Sequence, residues 1–153
     1  MTLIEQLKIT PADIERRKAY FGITAADSKT LQGLKPIVSE QIDEIVSAFY
    51  DRILIFDEMD RLIGDAETLN RLKIHQKNYI LNLFDGQIDE EYVHSRLRVG
   101  VVHMRIGVEP KIYISAIHNL ISILNRVVID SQTKGCSECS QRLAVVDKLL
   151  MFD

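Results

Sequence analysis

The sequence predicts a single all-α domain, and three observations carry that prediction. The chain of 153 residues holds only seven glycines and three prolines, fewer than a turn-rich β fold uses. Apolar residues recur at three- and four-residue steps over most of its length, the period of one helical face. Helix start and stop signals (Thr-Pro, Asp-Gly and Gly followed by Pro) divide that pattern into segments of helical length.

Thr10-Pro11 opens the first clear helix, with Thr10 as cap and Pro11 at the first helical position. The segment 12–21 ends at Gly22. Thr24 or Asp27 opens a second helix, expected to break or bend near Gly33 and Pro36. From Pro36, the residues Ile37, Ile42, Ile45, Val46, Phe49, Ile53 and Leu54 form one apolar face. A short helix with a loop is expected over 56–64. A long helix over 66–84 carries the stripe Leu69, Leu72, Tyr79, Ile80 and Leu83, and Asp85-Gly86 is a turn. Helices over 89–104 and 110–129 follow, separated by Gly107, Glu109 and Pro110. After a polar loop over 130–140, a last helix begins near Gln141 and is still strongly apolar at Leu149, Leu150, Met151 and Phe152. This pattern leads to the expectation that residues 1–153 are one domain at the N-terminal end of a longer signalling protein.

The net charge of −3 argues against a nucleic-acid partner. No uninterrupted apolar run reaches the ~18 residues of a membrane span. The opening MTLIEQLKIT carries Glu5 and has no small-residue cleavage site, unlike a signal peptide. A cytoplasmic location without membrane contact is therefore expected.

Two of the four histidines stand in a suggestive setting. His75 lies three residues after Leu72 and four before Tyr79, so it is expected to point into that stripe. His103 lies four residues after Val99 and three after Gly100, where the missing side chain lets a flat or bulky group approach the backbone. Inward histidines on two amphipathic helices can meet across one cofactor, although lone inward histidines are usually structural. Tyr50 follows Phe49 and, if buried, needs a partner for its hydroxyl. Cys136 and Cys139 form one CxxC, which falls short of a four-ligand zinc site and reads as two incidental thiols. No phosphate loop, nucleophile elbow or HExxH motif occurs.

The stretch RLRVGVVHMRIGVEPKIY over 96–113 resembles the proximal-helix signature of the globin domains of globin-coupled sensors. LKIHQKNYILNLFDGQIDEEYVHSRL over 72–97 and AFYDRIL over 48–54 are similar to the same family. The resemblance covers about 35–124. It implies a globin fold around a b-type haem, with an extra N-terminal helix. It places His103 at the proximal iron ligand, and Tyr113 at a tyrosine whose hydroxyl can bond the proximal imidazole. Tyr50 falls on the distal tyrosine that steadies bound oxygen, and Leu72 on an apolar distal-pocket position. Phe49, Val99, Gly100 and Tyr79 complete the expected haem pocket. His75 departs from the family's usual smaller or apolar residue or Thr, and a distal imidazole there implies bis-histidyl iron. Arg96 and Arg98 are candidates for haem-propionate contacts.

The function expected from this resemblance is a sensor of a diatomic gas (oxygen, carbon monoxide or nitric oxide) or of redox state. It would be a non-enzymatic domain and a homodimer through its last two helices. An electron-transfer haem protein, thiol chemistry at Cys136 and Cys139, and a haem-free globin-like interaction domain are the competing readings.

Overall fold

The computed structural model describes residues 3–131 and 138–153 and builds them from helices: α1 (Leu3–Gln6), α2 (Pro11–Tyr20), α3 (Ala25–Glu40), α4 (Ile42–Ile53), α5 (Asp57–Ile63), α6 (Ala66–Leu83), α7 (Glu90–Arg105), α8 (Pro110–Asp130) and α9 (Cys139–Phe152). The starts of α2 and α3 are capping boxes. Thr10 accepts from the Asp13 amide and Thr24 from the Asp27 amide, while each Asp returns a bond to the cap backbone. Asp65 and Asp89 cap α6 and α7 through the amides of Thr68 and Tyr92.

Two boundaries differ from the sequence expectation. α3 runs unbroken through Gly33 and Pro36, and the chain instead breaks at Gln41. Pro36 removes one hydrogen bond, but the buried face Leu31, Leu34 and Val38 holds the helix together across it. α9 begins two residues earlier than expected, at Cys139. This thiol is free and half-buried, and Cys136 lies outside the described residues.

α3, α4, α8 and α9 pack on one another, and α6 closes the group against α3 and α4. Their shared core includes Leu31, Val46, Ile80, Leu120, Leu124 and Val128, each at most 1% exposed. A side chain removed from water to this degree contributes about 1.5–3 kcal/mol. α8 is long and apolar enough to cross a membrane by length and composition. Here it is the central packing helix, with Leu120, Leu124, Val127 and Val128 buried, and Ile114 and Ile129 left outside.

The turn after α6 is pinned to α3. Gly86 has φ +68°, and a Cβ there would stand 2.6 Å from the Ser28 carbonyl oxygen, so only glycine fits. Gln32 donates to the Asp85 carbonyl at 3.0 Å, and Lys35 pairs with the Asp85 carboxylate. α7, by contrast, is held chiefly by the short helices α1 and α2, and its buried residues are Tyr92 and Arg96.

Candidate functional site

His103 sits near the end of α7, half-buried. Its Nδ1 lies 2.8 Å from the carbonyl oxygen of Val99, one turn earlier. That carbonyl only accepts, so Nδ1 carries the proton, and in the neutral ring the lone pair is on Nε2. The ring meets Tyr113 of α8 edge to face, with centroids 5.2 Å apart. Val99, His103 and Tyr113 are thus brought together as expected. The bond on Nδ1 comes from the backbone rather than from the Tyr113 hydroxyl, because the helical i−4 carbonyl is already within reach. Burial raises the Tyr113 pKa, with Asp153 adding to the rise and Arg96 opposing it.

Beyond its chain neighbours and the backbone of its own helix, no described atom lies within 4 Å of where a Gly100 Cβ would stand. Gly100 instead lines a cavity of about 610 Å³ with Leu97, Met104, Tyr113 and Phe152. That volume falls in the usual ligand range of ~300–1,000 Å³, but His75, His103 and Tyr50 are not among its lining residues. Val102, Met104, Ile106 and Ile114, around the bend from α7 to α8, are between 49% and 71% exposed. Such a cluster of exposed apolar side chains marks a surface that something else covers.

On α4, Tyr50 is 7% exposed and packs edge to face on Phe49 at 5.2 Å. Burial lifts its pKa to about 12, with no hydrogen bond offsetting the rise. Leu72 of α6 is half-buried against the same core. His75, on the same face of α6, is exposed. The expectation that it is enclosed by the apolar stripe does not hold: α6 buries Ile80 and Leu83 and packs Leu69, Leu72 and Tyr79 against the core, and the His75 ring is left outside.

Tyr79 belongs to a different grouping, which pattern reading missed. The Arg96 guanidinium lies between the rings of Tyr79 and Tyr92, 4.1 and 4.3 Å from their centroids. Asp153, at the end of α9, accepts from both phenols, at 2.9 Å from Tyr79 and 2.6 Å from Tyr92. Arg96 Nε lies 3.1 Å from Asp153 Oδ2, an ion-pair contact at an angle too poor for a hydrogen bond. Arg96 also donates to Asn82 at 3.1 Å. Both charged side chains are under 8% exposed. Arg96 therefore spends its charge inside the protein rather than presenting it to a propionate, and Arg98 is exposed. The only sequence signal for this cluster was an acid directly after a strongly apolar run. Burial pushes the Asp153 carboxyl up, against the pull of Arg96 and the two phenols.

Among the described residues, no cluster of His, Cys, Asp and Glu could hold a bare metal ion. One oriented imidazole beside apolar surface suits iron already carried in an organic ring. The helical arrangement and this site define a globin domain. The chain belongs to the Protoglobin family, whose profile matches residues 10–153. It is 28% identical over 160 residues to the heme-based aerotactic transducer HemAT of Halobacterium salinarum. That match takes in 99% of this chain and 33% of the relative, so the chain spans about a third of the transducer's length. Among solved structures it is similar to the globin domain of the Geobacter sulfurreducens globin-coupled sensor, with a TM-score of 0.83, 24% identity and 90% of each chain covered. It is also similar to the ferric globin domain of E. coli DosC, with a TM-score of 0.63, 20% identity, and 84% of this chain and 97% of that one covered.

Proposed function

We propose that residues 1–153 form a haem-binding sensor domain of a longer, cytoplasmic signalling protein, with His103 as the proximal iron ligand. The observation that carries this reading is the His103 Nδ1–Val99 carbonyl bond, which orients the ring and leaves Nε2 unengaged by that bond. Family membership supports it, as does the relative described as a heme-based transducer. Haem b would supply an iron that takes a diatomic gas or changes oxidation state.

The chain's own residues would do the rest. Val99 holds the proximal ring, and Tyr113 packs on its edge. Gly100 leaves the backbone open to close approach. Phe49, Leu72 and Val99 supply apolar surface, and the buried Tyr50 hydroxyl would donate to a gas ligand. We assign His75 as the distal ligand. It is exposed on α6 with no hydrogen bond to a described residue, so its imidazole is available to compete with gas for one position. If His75 left that position open 1% of the time, apparent gas affinity would fall ~100-fold, or ~2.7 kcal/mol. Such competition offers two discrete arrangements of α6 for gas to bias. A bis-histidyl site also fits electron transfer. The transducer relative favours sensing, a signalling role rather than an enzymatic one.

Ile129 on α8 and Met151 on α9 are 50% and 59% exposed. We read them as the face of a homodimer rather than a membrane contact, and sedimentation of the haem-loaded protein as a monomer at high concentration would contradict that.

Visible spectra of the haem-loaded protein, ferric and ferrous, test the assignment. Wild type is expected to show low-spin six-coordinate bands that become five-coordinate in His75→Leu, and His103→Leu is expected to lose the proximal bond. A five-coordinate or water-bound wild type, unchanged by His75→Leu, would remove His75 from the iron and leave Tyr50-assisted gas binding. No haem uptake would leave an interaction domain.

A further inference from the structure

The Arg96 cluster joins three helices at one point. Tyr79 and Asn82 come from α6, Tyr92 and Arg96 from α7, and Asp153 from the end of α9. Tyr79 stands one turn after His75, and Arg96 two turns before His103, each on the same helix face as its histidine. We propose that Arg96 and Asp153, walled by Tyr79 and Tyr92, form a clamp that sets the gap between α6 and α7 and couples it to the end of α9. The cluster thereby acts as a positioning device for both imidazoles, a role that rests on the haem reading above.

Three features support the clamp. α7 has little other anchorage to the main body, since its close packing is with α1 and α2. A buried charged pair tolerates little displacement, because pulling the partners apart leaves each charge desolvated and unpaired. The end of α9, buried at Leu149, Leu150 and Phe152, packs chiefly on α3 and α8 rather than on α6 or α7. Arg17 donates to the Phe152 carbonyl at 2.9 Å and stacks on the Phe152 ring at 5.3 Å. Asp153 is therefore the point at which a shift of α6 against α7 is transmitted to α9. Coupling of this kind is reciprocal, so a change at the end of α9 must alter the α6–α7 gap equally.

The test measures amide hydrogen exchange on the full chain, first without haem. Asp153→Asn removes the charge, and Tyr79→Phe removes one hydrogen bond while keeping the ring on Arg96, a mild change that tolerates folding. Arg17→Ala is the local control at the end of α9. Asp153→Asn is expected to speed exchange of the α7 amides over 100–105 by at least about tenfold, roughly 1.4 kcal/mol. Tyr79→Phe should act in the same direction and less strongly, and Arg17→Ala should affect only the last turn of α9. Faster exchange confined to that last turn in all three variants would overturn the clamp. With haem loaded, ferrous wild type with and without carbon monoxide should differ in exchange at 149–152, and Tyr79→Phe should lose that difference while still binding carbon monoxide. An unaltered difference in Tyr79→Phe would also overturn the proposal. Failure to take up haem would sink the sensor reading, and the haem-free measurement would still decide the clamp.

Discussion

The two halves of the molecule are held by different means. Around α3, α4, α8 and α9, apolar side chains such as Leu31, Val38, Leu124 and Val128 are buried to within 1%, and protein packs on protein. Around α7 and the bend into α8, the buried residues are Tyr92 and Arg96, while Val102, Met104, Ile106 and Ile114 stay open. The first region is complete in itself. The second is steadied by a charged cluster and short helices beside a large cavity, the composition of a region that keeps room for a ligand.

The contrast can be broken by substitutions, the largest effect first. Leu124→Ala should cost about 2–5 kcal/mol in denaturant unfolding, since its surroundings cannot collapse into the space. Gly86→Ala adds a Cβ that collides with the Ser28 carbonyl at a positive φ. It is expected to cost roughly 1–3 kcal/mol by the same measurement. Thr24→Ala removes a capping bond and should cost about 1 kcal/mol. In the open region, Val102→Ser and Ile114→Ser should change the haem-free unfolding midpoint by no more than ~0.5 kcal/mol. Both should hasten loss of haem to an apomyoglobin acceptor. A stability loss in these two as large as that of Leu124→Ala would erase the distinction.

A pH titration sharpens the packed half. Burial of Asp27 pushes its carboxyl up, but Lys148, donating at 2.7 Å, and the Thr24 backbone outweigh that and leave it below the ordinary 3.8. A depressed acid stabilises the fold above its unfolded value and loses that stabilisation as pH falls through the folded one. Unfolding midpoints should therefore drop below about pH 4 in wild type, and less steeply in Asp27→Asn. An identical profile for the two proteins would remove Asp27 from the account.

Much of the fold was legible because helix signals are local. The starts at Thr10-Pro11 and Thr24, the turn at Asp85-Gly86 and the start at Pro110 all appear in the structure. His103 was singled out by its setting and, with Tyr113, by the family resemblance, and the structure brings the two rings together. The Pro36 break was misread because a local penalty was weighed without the buried face that outweighs it. His75 shows the reverse, since periodicity identifies a face of a helix and not what covers that face. The Arg96–Asp153 pair was missed, because its partners stand 57 positions apart and a buried arginine looks like any surface one.

By itself, the sequence determined the helices, their order, their caps and the imidazole on α7, because each depends on residues within a few positions of one another. Only the tertiary structure decided which apolar faces are covered, that Nδ1 of His103 is taken by Val99, and that Arg96 and Asp153 meet beside two tyrosine rings. Those outcomes depend on which distant segments exclude water from one another.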